Sequence, residues 1–161
     1  MSDFIAPLLI VGATLAAAST GSTFRPGSWY AALDKPSWTP PNWAFPLVWS
    51  ILYAAMAFAT WLVWQESGLA AWPVFALYGA HLIANGVWSY LFFGRRRLDW
   101  AMAEVVLLWL MIAALALTYF QHSQLAGILF APYLIWVSIA AMLNLKLLQL
   151  NGPNGETTKL A

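Results

Sequence analysis

The side chains of this sequence best suited to chemistry are tryptophans set inside long apolar stretches. The chain has eleven tryptophans in 161 residues. Trp49, Trp88, Trp109 and Trp136 lie well inside those stretches, where a belt of aromatic residues at the membrane surface does not explain them. A buried indole offers a flat face for stacking and an N–H that needs a partner. Taken alone, these residues are typical of ordinary helix packing.

Polar residues lie at similar depth and offer partners for the indoles. Asn85, Trp88 and Ser89 are spaced three and four residues apart, so they share one face of a helix. An Asn inside an apolar helix usually bonds to a neighbouring helix. The alternative is a concave site in which aromatic side chains surround a few polar groups. The pattern alone leaves both alternatives open.

Ionisable groups inside the apolar stretches are few. His81 is the deepest, and a neutral His that is satisfied by a hydrogen bond is favoured over a functional one. Glu104 is expected either to reach the membrane surface or to pair with the cluster Arg95–Arg97. There is no second deep His for a bis-His haem site, no Cys, and no nucleophile–base pair. A conventional enzyme, a proton pump and a metal site are therefore disfavoured.

Composition places the chain in a lipid bilayer. It is 62% hydrophobic and 8% charged, whereas a soluble domain carries about 25% charged residues. So short a chain cannot hide that much apolar surface in one water-soluble core. The net charge of +1 gives no clustered basic face for nucleic acid, so a nucleic-acid partner is excluded.

The predicted fold is all-α, a polytopic membrane protein whose single domain, residues 1–161, is a five-transmembrane-helix bundle. A crossing needs roughly 20 mostly apolar residues. A proline-rich first loop, residues 24–42, cannot continue a helix. The five predicted helices cover residues 4–23, 43–64, 70–93, 100–121 and 125–149.

The cationic residues predict an orientation. With five crossings, all seven Lys and Arg residues fall on one side of the membrane. The positive-inside rule then puts the N-terminus outside and the C-terminus in the cytoplasm. The first helix is expected to be retained, because a signal peptide would begin with a positive region.

Small residues at four-residue spacing allow close helix approach, and the row in the third helix is the expected homodimer interface. The two rows are Ala13, Ala17, Gly21 and Ala76, Ala80, Ala84.

The first loop carries the most specific motif in the chain. Residues 29–41 read W-Y-A-A-L-D-K-P-S-W-T-P-P, which closely resembles the W-Y-x-x-L-x-K-P-x-W-x-P-P signature of the TspO/translocator protein family. Further matches follow in order along nearly the whole chain. They are Trp49 with Tyr53, Asn85-x-x-Trp88-x-x-x-Phe92-Phe93-Gly94, and Pro132-Tyr133-x-x-Trp136 with Asn144.

The resemblance implies a five-helix bundle, commonly dimeric, whose first loop covers an aromatic pocket. Family members bind tetrapyrroles such as protoporphyrin IX and haem, and isoquinoline carboxamide or benzodiazepine drugs, so no obligatory cofactor is expected. Carried over by position, the ligand-binding residues are Tyr30, Trp38, Pro40, Trp49, Tyr53, Asn85, Trp88, Ser89, Trp136 and Ala140. A cation from Arg25 or Lys35 on the loop would suit the porphyrin propionates.

The resemblance leaves three functions open: a tetrapyrrole receptor or sensor, a light- and oxygen-dependent porphyrin-degrading activity, and a transporter of lipophilic cargo. Trp49 and Trp136 are the expected catalytic residues if photodegradation occurs. Sterol binding is expected to be weak, because Leu145 stands where the family's sterol motif has Tyr. A bacterial inner membrane is favoured by the all-helical character, although some family members are placed in the outer membrane.

Overall fold

The computed structural model describes residues 2–24 and 26–155 as an all-helical chain. The described residues form five long α-helices and one short α-helix, with a 3-10 turn at Gly68–Ala71 and a π-helical segment at Tyr90–Gly94. The five long helices coincide in position with the five predicted ones. Arg25 and Lys159, two of the seven cationic residues, lie outside the described residues. The helices are α1 (Ser2–Thr23), α2 (Ser28–Ala32), α3 (Ala44–Ser67), α4 (Trp72–Ser89), α5 (Leu98–His122) and α6 (Gln124–Asn151).

Four segments of the described chain are long and apolar enough to cross a membrane. One of them, Ala44–Gly94, is 51 residues long and contains both α3 and α4. This segment folds back on itself at Gly68, whose φ of 51° lies in the left-handed region that glycine adopts without strain. The Trp64 and Phe75 rings meet on either side of the turn, 5.9 Å apart. The two helices therefore run in opposite directions, and α1 packs against both of them.

The outer surface of the bundle is apolar, as a lipid setting requires. Phe4 is 79% exposed and Ile83 is 71% exposed. Trp43, Trp72 and Trp100 are also more than half exposed and sit at helix ends. The sequence assigns these three and Trp64 to the aromatic belt, but Trp64 is half-buried against Phe75.

Helices α5 and α6 form the most extensive pair in the bundle. They approach closely at Gly127, where an added Cβ atom would lie 2.6–2.8 Å from the Phe120 Cβ, Cα and N atoms. Helix α1 packs against α3 and α4 and is the least buried of the long helices. The fold therefore combines a tightly packed α5–α6 side with a loosely covered α1 side.

Helix α4 ends in a wider turn that brings aromatic side chains together. In the π-helical segment Tyr90–Gly94, the Arg95 N–H donates to the Tyr90 carbonyl five residues earlier, at 2.8 Å. Such π turns often occur at functional sites. The turn buries Phe92 and leaves the neighbouring Phe93 on the wall of a cavity.

Candidate functional site

A cavity of about 650 Å³ lies between α1, α3 and α4 at the end of the bundle that carries the first loop. That volume is within the usual range for small-molecule sites, about 300–1,000 Å³. We call residues 24–42 the lid and this end of the bundle the lid end. The lining residues are Ala18, Gly21, Ser22, Phe24, Pro26, Tyr30, Asn42, Phe45, Pro46, Trp49, Ser50, Tyr53, Asn85, Trp88, Ser89 and Phe93.

Six of the ten residues that the family resemblance assigns to ligand binding line this cavity. They are Tyr30, Trp49, Tyr53, Asn85, Trp88 and Ser89.

The other four assigned residues lie off the cavity wall. Trp38 is 45% exposed on the lid, and Pro40 is half-buried nearby. Trp136 packs its ring 5.7 Å from Phe45, which does line the cavity. Ala140 is half-buried on the same helix as Trp136, one turn further on.

Aromatic rings form much of the α3 and α4 walls. The Trp49 ring lies 5.5 Å from Tyr53 on its own helix and 5.9 Å from Tyr133 of α6. On α4, the Trp88 ring lies 5.1 Å from Phe92. Such pairs favour offset or edge-to-face geometry and hold one another in place. The cavity therefore has stiff aromatic sides suited to a flat, apolar guest.

A buried chain of hydrogen bonds fixes the polar groups on the wall. Tyr53 OH donates to Asn85 Oδ1 at 2.5 Å, and Asn85 Nδ2 donates to Tyr133 OH at 3.0 Å. Tyr133 OH is 3.0 Å from His81 Nε2, and His81 Nδ1 is 3.2 Å from the Tyr78 carbonyl. With the proton on His81 Nδ1, every member donates to the next. Both ring nitrogens of His81 have a partner, as a neutral, structural His requires.

These hydrogen bonds resolve the two alternatives for Asn85. Its amide joins α3 to α6 through Tyr53 and Tyr133, which is the structural role. The same residue also lines the cavity beside Trp88 and Ser89. Asn85 is therefore both an interhelical link and part of the wall.

The lid places Tyr30 of α2 over the cavity. Tyr30 is 3% exposed, and burial raises the pKa of its hydroxyl, so the ring stays neutral. Lys35 lies with Nζ 4.7 Å from the Tyr30 ring centroid and donates to the Ala31 and Leu33 carbonyls, each at 3.1 Å. Partial burial lowers the Lys35 pKa, and Asp34 opposes that change. Lys35 is thus engaged within the lid, while Arg25, the other cation expected to meet a propionate, lies outside the described residues.

Several buried polar atoms in the described chain have no hydrogen-bond partner. Two of them are the indole Nε1 atoms of Trp88 and Trp136. Both carboxylate oxygens of Glu104 are also buried and unpartnered. Glu104 therefore neither reaches the surface nor pairs with the arginine cluster, where Arg97 bonds to Asp99 at 2.6 Å. An unmatched buried polar group costs about 1–3 kcal/mol.

Sequence reasoning missed the contribution of α1 to the cavity. Ala18, Gly21 and Ser22 form one wall, and their small size makes the space. A Cβ atom added at Gly21 would meet no described atom within 4 Å. The sequence offers only one signal for this wall, the four-residue spacing of Ala13, Ala17 and Gly21, and that spacing predicts helix packing equally well.

The cavity offers little for metal binding. Among the described residues that line it there is no His, Cys or Met, the usual axial ligands of haem iron together with Tyr. Within the described part of the chain, no three His, Cys, Asp or Glu residues lie close enough to hold a metal ion. Tyr53, one of the two tyrosines on the wall, already donates its hydroxyl to Asn85.

The sequence is similar to those of known proteins along most of its length. The sequence model of the TspO/MBR family matches residues 4–150. The tryptophan-rich sensory protein of Cereibacter sphaeroides is 41% identical over 149 residues, which is 92% of this chain and 93% of that protein. Protein CrtK of Rhodobacter capsulatus is 41% identical over 140 residues, or 84% and 86% of the two chains. The human translocator protein is 40% identical over 131 residues, 77% of each chain.

Proposed function

The chain belongs to the TspO/MBR family of integral membrane proteins, and we propose that it is a receptor or sensor that binds tetrapyrroles and related lipophilic ligands in the cavity beneath the lid. The observation that carries the proposal is the position of Trp49, Tyr53 and Trp88. All three line one cavity of about 650 Å³. A flat π-system gains both apolar burial and ring contacts in such a space.

Metal-free protoporphyrin IX is the preferred ligand within that class. It needs no axial ligand, and the described part of the cavity lining has no His, Cys or Met to supply one. Among the described lining residues, only the two tyrosines could then ligate haem iron, and Tyr53 already donates its hydroxyl to Asn85. Benzodiazepine-type molecules are smaller aromatic guests for the same walls.

The experiment that tests this function is a titration of tryptophan fluorescence with protoporphyrin IX in the dark, followed by absorption spectra under light. Saturable quenching with an unchanged porphyrin spectrum supports a receptor. New absorbing products in light support an enzyme-like activity. Movement of porphyrin across sealed vesicles would instead support a transporter. Absence of saturable quenching contradicts the proposal.

Light-dependent porphyrin breakdown is the second candidate, and one observation favours it. The oxidisable indole of Trp49 lines the cavity and could donate an electron to an excited porphyrin bound there. Trp136 is one ring further away, behind Phe45. Trp49 is therefore the first electron donor in this scheme, and Trp136 is a secondary donor that does not touch the ligand.

We propose that α3 and α4 each cross the membrane, giving five crossings with the lid end in the cytoplasm. The described cationic residues near the membrane all lie toward that end: Lys35, Arg95, Arg96, Arg97 and Lys146. The positive-inside rule places such an end in the cytoplasm, and an inner membrane suits an all-helical protein. Ala76 and Ala80 of the small-residue row are exposed on α4, whereas Ala84 is half-buried, so the first two support this helix as the interface of a homodimer.

A further inference from the structure

We propose that Asn151, the last residue of α6, is the latch that holds the lid over the cavity. Its side chain is fully buried. Oδ1 accepts a 2.8 Å hydrogen bond from the Asp34 N–H, and Nδ2 donates to the Asp34 carbonyl at 2.9 Å and to the Leu147 carbonyl at 3.0 Å. Both amide hydrogens and the oxygen are used. The side-chain amide thus bonds to both the N–H and the carbonyl of Asp34, as a neighbouring β-strand would.

The contact at Asp34 fixes the part of the lid that faces the cavity. Asp34 directly follows Leu33, which is 5% exposed, and lies four residues after Tyr30. Lys35 ties this stretch to the end of α2 through its bonds to the Ala31 and Leu33 carbonyls. Residues 30–35 therefore behave as one unit, and holding Asp34 also holds Tyr30 on the cavity wall.

The turn that follows α6 makes a second contact with the lid. A Cβ atom at Gly155 would lie 2.7 Å from Trp29 Cζ2 and 2.8 Å from Leu33 Cδ2, so the turn packs flush against the lid. The same turn is tied to α5, because the Leu98 N–H donates to the Pro153 carbonyl at 2.8 Å. The lid is thus held by the C-terminal end of α6, which is not among the described residues that line the cavity.

This arrangement makes the latch a control on ligand exchange, an inference that rests on the proposed function. Lifting Tyr30 away from the cavity requires the paired bonds at Asn151 to break. Lid opening of this kind precedes both entry and release. Loss of the latch therefore raises the association and dissociation rates together, while Kd changes less than either rate. Damage to the cavity itself would raise only the dissociation rate and weaken binding.

The test replaces Asn151 in the full-length protein and measures two properties. In Asn151→Ala, hydrogen exchange at the Asp34 amide becomes faster than in the unchanged protein. Stopped-flow quenching by protoporphyrin IX shows both rates rising about tenfold, the factor equivalent to about 1.4 kcal/mol. Asn154→Ala is the control, because Asn154 is exposed in the same turn. Unchanged Asp34 exchange, or a faster dissociation with unchanged association, would overturn the latch.

A second pair of variants tests the latch by steric means. Gly155→Ala pushes a methyl group into Trp29 and Leu33, whereas Gly152→Ala adds the same group where no described atom lies within 4 Å. Both glycines have positive φ, 64° and 71°, so an added side chain strains the backbone at each position. Only Gly155→Ala should speed exchange in the lid. Equal effects of the two variants contradict the proposal. The exchange measurement needs no ligand, so it decides the latch even if protoporphyrin IX fails to bind.

Discussion

The hydroxyl of Tyr53 donates a 2.5 Å hydrogen bond to Asn85 Oδ1, and this bond joins α3 to α4 at the cavity wall. Asn85 passes the connection on to Tyr133 of α6 at 3.0 Å. One buried amide therefore links three helices, and two of them, α3 and α4, line the cavity. In an apolar interior such bonds act as specific links between helices, because no water is available to replace them.

Removing parts of this link should lower stability in steps. Tyr53→Phe removes one donor and is expected to reduce the unfolding free energy by about 1 kcal/mol. Asn85→Leu leaves both tyrosine hydroxyls without that partner and should cost about 2–3 kcal/mol. Thermal unfolding in detergent, followed by circular dichroism, measures both. Ser50→Ala is the control, since its hydroxyl bonds to the Pro46 carbonyl of its own helix. A Tyr53→Phe variant with unchanged stability would argue against the link.

The close approach of α5 and α6 predicts a severe effect at Gly127. An added methyl group would meet backbone and Cβ atoms of Phe120 at 2.6–2.8 Å, and these cannot move aside as a flexible side chain would. Gly127→Ala should therefore destabilise the protein by about 2 kcal/mol or more. A Cβ atom added at Gly12 of α1 would have no described atom within 4 Å. Gly12→Ala should therefore leave the stability unchanged or raise it slightly. Equal melting temperatures for the two variants would contradict the packing described for this pair.

Substitutions of the two candidate electron donors, Trp49 and Trp136, should differ in their effects on ligand binding and on light-dependent product. Trp136→Phe is expected to retain protoporphyrin IX binding, because Trp136 lies behind Phe45 rather than on the cavity wall, yet to form less light-dependent product. Trp49→Phe should weaken binding and lose product as well. Absorption spectra recorded during illumination measure the product, with Trp100→Phe as the exposed control. Unchanged product in Trp136→Phe would remove that residue from the scheme.

The orientation can be tested by reporter fusions at two positions. A fusion after Gly68 should report the outer side of the membrane, and one after Arg97 should report the cytoplasm, because a single crossing separates them. A cytoplasmic signal at Gly68 would overturn both the count of five crossings and the orientation.

The sequence predicts the long helices well and the contacts between them poorly. The predicted span of residues 100–121 becomes α5 (Leu98–His122) because long apolar runs and their polar breaks are local signals. The short α2 and the π turn Tyr90–Gly94 carry no such signal. Asn151 and Asp34 are 117 residues apart, so their pairing depends on the folded bundle.

The site residues also divide into those that the sequence predicts and those that depend on the packing of the helices. Trp49, Tyr53 and Trp88 could be assigned because the family motif contains them, and all three line the cavity. Gly21 could not, because its role is to leave space rather than to make contact. Trp136 belongs to the same motif but lies behind Phe45. The family motif identifies residues in and around the cavity, whereas the packing of the helices determines which of them line it.

The most direct measurement of the central claim fills the cavity from α1. Gly21 lines the cavity, and a Cβ atom added there has no described atom within 4 Å, so Gly21→Phe places a ring in that space. Gly12→Phe adds the same side chain to the same helix, away from the cavity. Titration with protoporphyrin IX should show saturable tryptophan quenching for Gly12→Phe and none for Gly21→Phe. Quenching by Gly21→Phe that matches the unchanged protein would show that the ligand binds elsewhere.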